Sequence, residues 1–314
     1  MNYPYANGYI KAIENKLLDR TKLAKLCKTD KEEFYDALLD MGYGVSGSTV
    51  EELIESELSV LRKTIDEITP EKKYTDLFFL SFDCINIKAY YKMKFFSKVD
   101  PDFYAENGNL EKEGLQRAIF ASDYSALPKV YQKFLSRLDE ELQGIENPRT
   151  LSARIDYAIF KFIRDSLLLA YKPALKAYYQ ISADLKNILG LFRSRNLGWE
   201  FSEFREMFID YGEIPLRVFE EIFPKEGSEL LKTFKNYYDE KLYPGLKLYF
   251  ENGELDALER FFDNFLLEAM KAYRHDAFGI GPMFYYYLVK EAEAKNIKFI
   301  YASKDPDLSD LIEY

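Results

Sequence analysis

Two sets of polar side chains in this sequence share one spacing, and the spacing suits hydrogen bonding between helices more than catalysis. In each set an acid is followed by an amide three positions later and by a cation eleven positions later: Asp83, Asn86 and Lys94, then Asp184, Asn187 and Arg195. Residues at these separations lie near one face of an α-helix. We therefore interpret each set as a polar stripe that ties neighbouring helices together.

A third pattern, Glu293 followed by Asn296 and Ile297, resembles the first two sets. The first two sets are related by a shift of 101 positions (184 − 83), whereas the third amide stands 109 positions (296 − 187) after the second. Because the two shifts differ, the sequence alone leaves the register of the third copy open.

A glycine-rich segment from Gly42 to Gly47 has the G-x-G-x-x-G spacing of dinucleotide-binding proteins. In those proteins a strand precedes the glycines, whereas residues 31–41 have the periodicity of an amphipathic helix. We interpret the glycines as turn and helix C-cap positions that adopt positive φ angles. The segment therefore predicts no nucleotide cofactor.

Metal and nucleophile chemistry has few candidate residues. The two cysteines, Cys27 and Cys84, are far apart in sequence, and the single histidine, His275, has alanine rather than glutamate three positions before it. The sequence thus lacks the Glu-x-x-His pairs of helical di-iron proteins and the clustered cysteines of zinc sites. Paired acids such as Glu51-Glu52 suit solvated helix surfaces. We predict no catalytic residue, no metal site and no cofactor.

Charge and hydropathy argue against other classes of protein. The 43 Lys and Arg are outnumbered by 53 Asp and Glu, and the formal net charge of −10 disfavours nucleic acid as a partner. No run reaches the ~18 apolar residues of a membrane span, so we expect no direct membrane insertion. The first residues lack the basic and apolar regions of a secretion signal, and cysteines are few, so we expect a cytoplasmic protein.

The elements that carry these residues are predicted to be helices, because apolar residues recur at helical spacing along nearly the whole chain. Ser48 and Thr49, each followed by Glu three positions later, predict a helix start. One long helix is predicted over 148–178 with a kink at Pro173, and residues 298–301 form a solitary strand-like segment. The fold class we predict is all-α.

Aromatic residues are unusually abundant, with 26 Tyr and 25 Phe in 314 residues. Adjacent residues on a helix point about 100° apart, so the run Tyr285-Tyr286-Tyr287 can be fully buried only where other helices surround it. Tyr and Phe are also enriched at protein–protein interfaces, because they bury a large area while ordering few torsions. We expect some of them to line interfaces with partner proteins.

Repetition on the scale of one third of the chain predicts three similar helical domains. The first two polar stripes stand about that far apart, and no Ser/Gly-rich or low-complexity linker separates the segments. We place the domains at residues 1–105, 106–212 and 213–314, and we expect them to be joined rigidly.

Taken together, these patterns resemble the C subunit of the prokaryotic V/A-type (vacuolar-type) rotary ATPases, the equivalent of the d subunit in the eukaryotic vacuolar enzyme. The resemblance runs end to end and is carried by the opening residues 5–14, the stripe segments 83–94 and 184–195, and the ending from Gly281-Pro282 to Asn296. One departure is Gly281, because the family usually has an acidic or polar residue before this proline.

The resemblance implies a pseudo-threefold funnel of three similar helical domains that acts without catalysis. Its partners would be the central-shaft subunits of the soluble ATP-hydrolysing sector and the membrane rotor ring. Such a protein would couple ATP hydrolysis or synthesis to proton or sodium transport. It would be cytoplasmic and would lie on the cytoplasmic face of the membrane through the complex.

Two other classes stay open at this point. One is an all-helical metal-dependent enzyme that acts on an apolar substrate, which would need paired Asp-rich motifs that the sequence lacks. The other is a cytosolic helical scaffold with unrelated partners. Co-purification separates these classes, because a rotor component should leave membranes together with ATPase subunits.

Overall fold

The computed structural model describes residues 1–97, 102–225 and 227–314. Every regular element in that part of the chain is helical, which confirms the predicted all-α fold. The α-helices are, in chain order, α1 (Tyr3–Ile13), α2 (Arg20–Leu26), α3 (Lys31–Asp40), α4 (Val50–Ile68), α5 (Lys72–Thr75), α6 (Leu80–Phe96), α7 (Lys112–Ala121), α8 (Lys129–Glu141), α9 (Pro148–Leu167), α10 (Pro173–Asn196), α11 (Phe201–Met207), α12 (Leu216–Ile222), α13 (Ser228–Phe234), α14 (Tyr243–Asn252), α15 (Leu255–Met270) and α16 (Gly281–Ala302). Short 3₁₀-helices lie at Glu14–Lys16, Asp76–Phe79, Tyr238–Glu240, Lys271–Tyr273 and Leu308–Asp310.

Local sequence explains where the helix α4 begins. The hydroxyl of Thr49 accepts a hydrogen bond from the backbone N–H of Glu52 (3.2 Å), which satisfies one of the free donors of the first turn. The Glu52 carboxylate in turn accepts from the backbone N–H of Ser48 (2.6 Å). The helix start predicted at Ser48 and Thr49 is therefore confirmed.

The prediction of one long helix over residues 148–178 is wrong, because the chain forms two helices there. Helix α9 ends at Leu167, and Pro173 is the first residue of α10. A proline lacks the N–H and clashes with the preceding turn inside a helix, but it fits the first turn, where the N–H would have no partner. Pro173 therefore starts a helix instead of kinking one.

The strand-like segment at residues 298–301 is also helical and belongs to the last turns of α16. A short apolar run cannot by itself distinguish a strand from a buried helix. The glycine segment behaves as predicted, because Gly42 (φ 76°) and Gly44 (φ 78°) adopt left-handed conformations in the turn that follows α3.

The described residues form two compact units, and the second consists of residues 76–233. Within it, α6 packs against α7 and α9, while α10 packs against α9 and α11. The helices α6 and α10 carry the first two polar stripes, and buried polar residues interrupt their apolar faces.

The first unit combines residues 1–75 with residues 234–314. Its centre is α16, which packs against α1, α4 and α15. Because helices lie on several sides of α16, all three residues of the Tyr285–Tyr287 run are buried. No helix of the described ranges is long and apolar enough to cross a membrane. The division into three domains stays a prediction.

Candidate functional site

The first polar stripe binds the segment that follows its own helix. Asp83 and Asn86 of α6 are fully buried. Oδ1 of Asp83 accepts hydrogen bonds from the backbone N–H groups of Asn109 (2.7 Å) and Leu110 (3.0 Å). The amide of Asn86 donates to the carbonyl of Ala105 (2.8 Å) and accepts from the N–H of the same residue (2.7 Å). We call this acid and amide pair, with the loop backbone it holds, the first clasp.

A second clasp on α10 repeats this geometry. The carboxylate of Asp184 accepts from the N–H groups of Glu213 (2.7 Å) and Ile214 (3.1 Å). The side chain of Asn187 donates to the carbonyl of Ile209 (2.9 Å) and accepts from its N–H (2.9 Å). Both side chains are buried, so the backbone groups they satisfy would otherwise have no water to bind.

The third clasp lies on α16 and consists of Glu293 and Asn296, which are also buried. Asn296 donates to the carbonyl of Ile312 (2.9 Å) and accepts from its N–H (2.8 Å). Glu293 accepts from the backbone N–H of Leu18, which lies 275 positions away in sequence. The structure therefore places this third pair in the same role as the two pairs that share one shift.

The register of the third clasp becomes clear from the residue that the acid holds. Leu110, Ile214 and Leu18 each stand two positions before the start of a helix, α7, α12 and α2 respectively, and each is buried. In the first two clasps this residue follows the amide along the chain. In the third it comes from the other end of the sequence, so no constant shift could have revealed it.

A buried lysine takes part in the third clasp. Nζ of Lys290, whose side chain is 2% exposed, lies 2.5 Å from the Glu293 carboxylate and 2.7 Å from that of Glu57. The same amine lies 4.9 Å from the centre of the Tyr43 ring. Burial raises the pKa of Glu293, and the neighbouring Lys290 amine opposes that shift. The lysine thus supplies a charged donor where Asp83 and Asp184 each have a second backbone N–H.

The cations of the two predicted stripes, Lys94 and Arg195, lie in different environments. Lys94, near the end of α6, forms an ion pair with Asp139 of α8 (2.8 Å) instead of reaching the loop that Asp83 binds. Arg195 is half-buried in the last turn of α10. The structure therefore brings acid and amide together on one loop, and it separates Lys94 from them.

Two glycines that sequence reasoning missed complete the first two clasps. A Cβ atom on Gly108 would lie 2.5 Å from Oδ1 of Asp83, and one on Gly212 would overlap the Asp184 carboxylate. Neither position therefore has room for a larger residue. The signal was present in the sequence, because each glycine stands two positions before the apolar residue whose N–H the acid binds.

The clasp geometry suits conformational restraint, since each acid is buried and already accepts hydrogen bonds. Other candidates offer no clustered chemistry: the described residues contain no group of three or more His, Cys, Asp or Glu that could hold a metal ion. His275 is exposed and accepts a hydrogen bond from Nε of Arg274 (2.9 Å). Burial raises the pKa of Cys84 to about 12, so its thiol is protonated at neutral pH.

Comparison with known proteins gives a match along nearly the whole chain. Residues 6–312 match the model of the ATP synthase (C/AC39) subunit family. The matched range includes all three clasps, from Leu18 to Ile312.

Three relatives are each named as the C subunit of an A-type ATP synthase. The protein of Methanocaldococcus jannaschii is 25% identical over 98% of this chain and 84% of its own length. That of Methanosarcina acetivorans is 25% identical over 99% of this chain and 91% of its own length. The match to the protein of Desulfurococcus sp. (strain SY), at 26% identity, covers 68% of this chain and 63% of that protein.

Proposed function

Because this chain belongs to the ATP synthase (C/AC39) subunit family, we propose that it is a non-catalytic rotor component of a V/A-type ATPase. In this role it links the central-shaft subunits of the ATP-hydrolysing sector to the membrane rotor ring. It thereby couples ATP hydrolysis or synthesis to proton or sodium transport. The observation that carries the proposal is the family match over residues 6–312, supported by relatives named as C subunits of A-type ATP synthases.

The clasps support a mechanical role. A part that transmits torque must resist deformation, and a loop held by buried hydrogen bonds to a long helix can move only if several buried groups lose their partners. The first two clasps fix the loops after α6 and α11 to the helices α6 and α10 respectively, and the third fixes residues near both Leu18 and Ile312 to α16. Each unit is therefore braced internally at its central helices.

Exposed apolar side chains support a role in binding other proteins. In the turn between α9 and α10, Leu169 is 98% exposed and Tyr171 is 92% exposed, and Phe278, just before α16, is 81% exposed. Large apolar residues that protrude into solvent are typical of contact sites for partner proteins. We propose the shaft and the ring as those partners, which would hold the chain on the cytoplasmic face of the membrane without insertion.

The proposed arrangement is the three-domain funnel expected from the sequence, with domains at 1–105, 106–212 and 213–314. The repeated clasp supports the similarity of the domains, because one acid and amide pair falls in each range. The cationic loop residues of this chain are the expected partners of carboxylates on the loops of the ring. The rest of the chain, with a net charge of −10, would repel those carboxylates.

The test is reconstitution of the ATPase complex with and without this chain, followed by separate measurements of ATP hydrolysis and ion transport. We expect that omission abolishes ion transport and spares hydrolysis, because the shaft then turns without driving the ring. Ion transport that persists without the chain would contradict the coupling role. Loss of hydrolysis in the isolated soluble sector would contradict the non-catalytic assignment.

A further inference from the structure

The first unit contains a partly open cavity of about 460 Å³ beside the third clasp. Small-molecule sites in proteins span about 300–1,000 Å³, whereas ordinary packing defects are scarcely larger than a water molecule. One wall is apolar and includes Val289 of α16 together with Leu308 and Leu311 of the last segment. The cavity therefore has the size and the apolar surface of a site for a small molecule.

Two buried tyrosines give the cavity unused hydrogen-bonding capacity. Tyr285 and Tyr286 both line it and are more than nine-tenths buried, yet neither hydroxyl has a hydrogen-bond partner in the described part of the chain. Neighbouring tyrosines differ: Tyr287 donates to Glu291 (2.5 Å), and Tyr314 donates to the carbonyl of Leu18 (2.8 Å). Neither hydroxyl oxygen is fully buried, although both side chains largely are, so both hydroxyls can be reached from the cavity and are available to a ligand.

Four cationic side chains line the cavity, and one of them forms no ion pair with an acid of the described residues. Arg274 donates from Nε to the ring of His275 and has no carboxylate partner among the residues described. Asp19, an acid of the rim, is engaged in capping α2. The other rim cations already pair with acids, as Lys11–Glu14, Arg20–Glu313 (3.8 Å) and Lys271–Glu268 (2.8 Å). Arg274 is therefore the cation best able to bind an anionic ligand.

We propose that this cavity binds a small amphipathic anion, a hydrocarbon body with a carboxylate or phosphate head. The head binds the Arg274 guanidinium and the hydroxyls of Tyr285 and Tyr286. The hydrocarbon lies against Val289, Leu308 and Leu311. The volume admits roughly 15 water-sized groups at about 30 Å³ each, which corresponds to a medium-length chain. This inference does not depend on the coupling role proposed above.

Such an anion could reach the site as a free molecule or as the head of a membrane lipid, and two probes distinguish these sources. The first is sodium decanoate, titrated into the full-length chain by calorimetry, with decanol and acetate as comparisons. The second is flotation with vesicles of phosphatidylcholine, with and without phosphatidylglycerol. Decanoate should bind more tightly than decanol, which lacks the charge, and more tightly than acetate, which lacks the chain.

Variants of the full-length chain assign the binding to the cavity. Replacing Arg274 removes one charged hydrogen bond, so R274Q should weaken decanoate binding roughly tenfold. The Y286F variant should weaken it less, because it removes a neutral hydrogen bond. Arg137, which pairs with Glu141 on the exposed face of α8 in the other unit, is the matched control, and R137Q should bind as the parent chain does.

A further variant fills the cavity without touching the charged groups. Leu308 is half-buried at its edge, so L308W should block decanoate binding while thermal unfolding shows that the chain stays folded. If R274Q also loses binding to phosphatidylglycerol vesicles, the site takes lipid head groups. If it loses decanoate binding alone, the site takes free anions. The proposal is overturned if R274Q and L308W bind both probes as tightly as R137Q.

Discussion

The asparagine of each clasp pairs with both backbone groups of one loop residue, so its replacement leaves several buried groups without partners. For the second clasp we expect N187L to lower the free energy of unfolding by about 1–3 kcal/mol, because the N–H and carbonyl of Ile209 stay buried and lose their hydrogen bonds. Chemical denaturation of the full-length chain measures this change.

The matched control for that substitution is Asn252, which is exposed at the end of α14. N252L should change stability by no more than about 0.5 kcal/mol, the usual range for surface substitutions. If N187L proves as mild as N252L, while binding to the ATPase subunits is lost, the second clasp is an interface and the structural interpretation is wrong.

Glu291 makes stability depend on pH in a direction opposite to that of most carboxylates. Burial raises its pKa to about 6, although Tyr287 donates a hydrogen bond to it. The folded state therefore holds this proton more tightly than the unfolded state, and stability falls as pH rises from 4.5 through 6. In E291Q the free energy of unfolding should not decrease over this pH range. Above pH 6 it should exceed that of the parent chain by about 1–2 kcal/mol.

Denaturation curves recorded across that pH range test the prediction. Glu221 serves as the control, because Lys225 holds its pKa below the ordinary value, in the direction opposite to the shift of Glu291. E221Q should not gain stability relative to the parent as pH rises from 4.5 through 6, whereas E291Q should. A constant difference between E291Q and the parent would show that Glu291 is not held in its protonated form.

The sequence revealed the acid and amide pairs but not the loops that they bind. The spacing of Asp184 and Asn187 places both on one helix face, as follows directly from the geometry of an α-helix. The loops could not be aligned by one shift, because Asn86 and Asn187 reach backbone partners 19 and 22 positions further on. A few additional residues in a loop change the free energy of folding only slightly, so repeats diverge in their loops first.

At the scale of the elements, the glycines of the clasp loops set how closely each loop can approach its helix. A methyl group at Gly212 would overlap the Asp184 carboxylate, so G212A must push the loop away from α10. We expect a loss of about 1–3 kcal/mol, as for other cases of overpacking. Thermal or chemical denaturation measures the change.

Gly8 in α1 is the control for this substitution, since nothing lies within 4 Å of the position where its Cβ would stand. Alanine favours a helix over glycine by about 0.5–1 kcal/mol, so G8A should raise stability. Equal effects of G212A and G8A would mean that the loop after α11 yields to the added methyl group without loss of stability.

The helix start at α4 was predictable because a cap determines it, whereas Pro173 was interpreted as a kink although it begins α10. Thr49 and Glu52 mark the start of α4 by their own hydrogen bonds, which local sequence encodes. The end of α9 at Leu167 has no such mark, since Leu168 and Leu169 would suit a buried helix and are instead exposed. Tertiary packing therefore determined that boundary.

At the scale of the whole molecule, residues 312–314 hold segments of the first unit together. Ile312 is buried, and its backbone N–H and carbonyl both form hydrogen bonds with the side chain of Asn296. The hydroxyl of Tyr314 donates to the carbonyl of Leu18. Deletion of residues 312–314 should therefore speed amide hydrogen exchange in α16 and around Leu18. Exchange in residues 76–233 should stay unchanged, because that unit has its own clasps.

Hydrogen exchange with mass spectrometry distinguishes this local loosening from general unfolding. The L169S variant is the control, because this side chain is 98% exposed in the second unit and its loss should leave exchange unchanged in both units. Faster exchange throughout residues 76–233 after the deletion would show that the two units unfold together.

The distant origin of the two partners in the third clasp governs the order in which the nascent chain can fold. Residues 76–233 are contiguous and can fold once they have left the ribosome, whereas residues 1–75 must await a segment that begins at residue 234. At typical synthesis rates this delay is on the order of ten seconds. During it the apolar residues around Leu18 lack the partners that Ala294, Ile297 and Ile300 of α16 supply, so the amino-terminal helices of the newborn protein expose apolar surface to which a chaperone can bind.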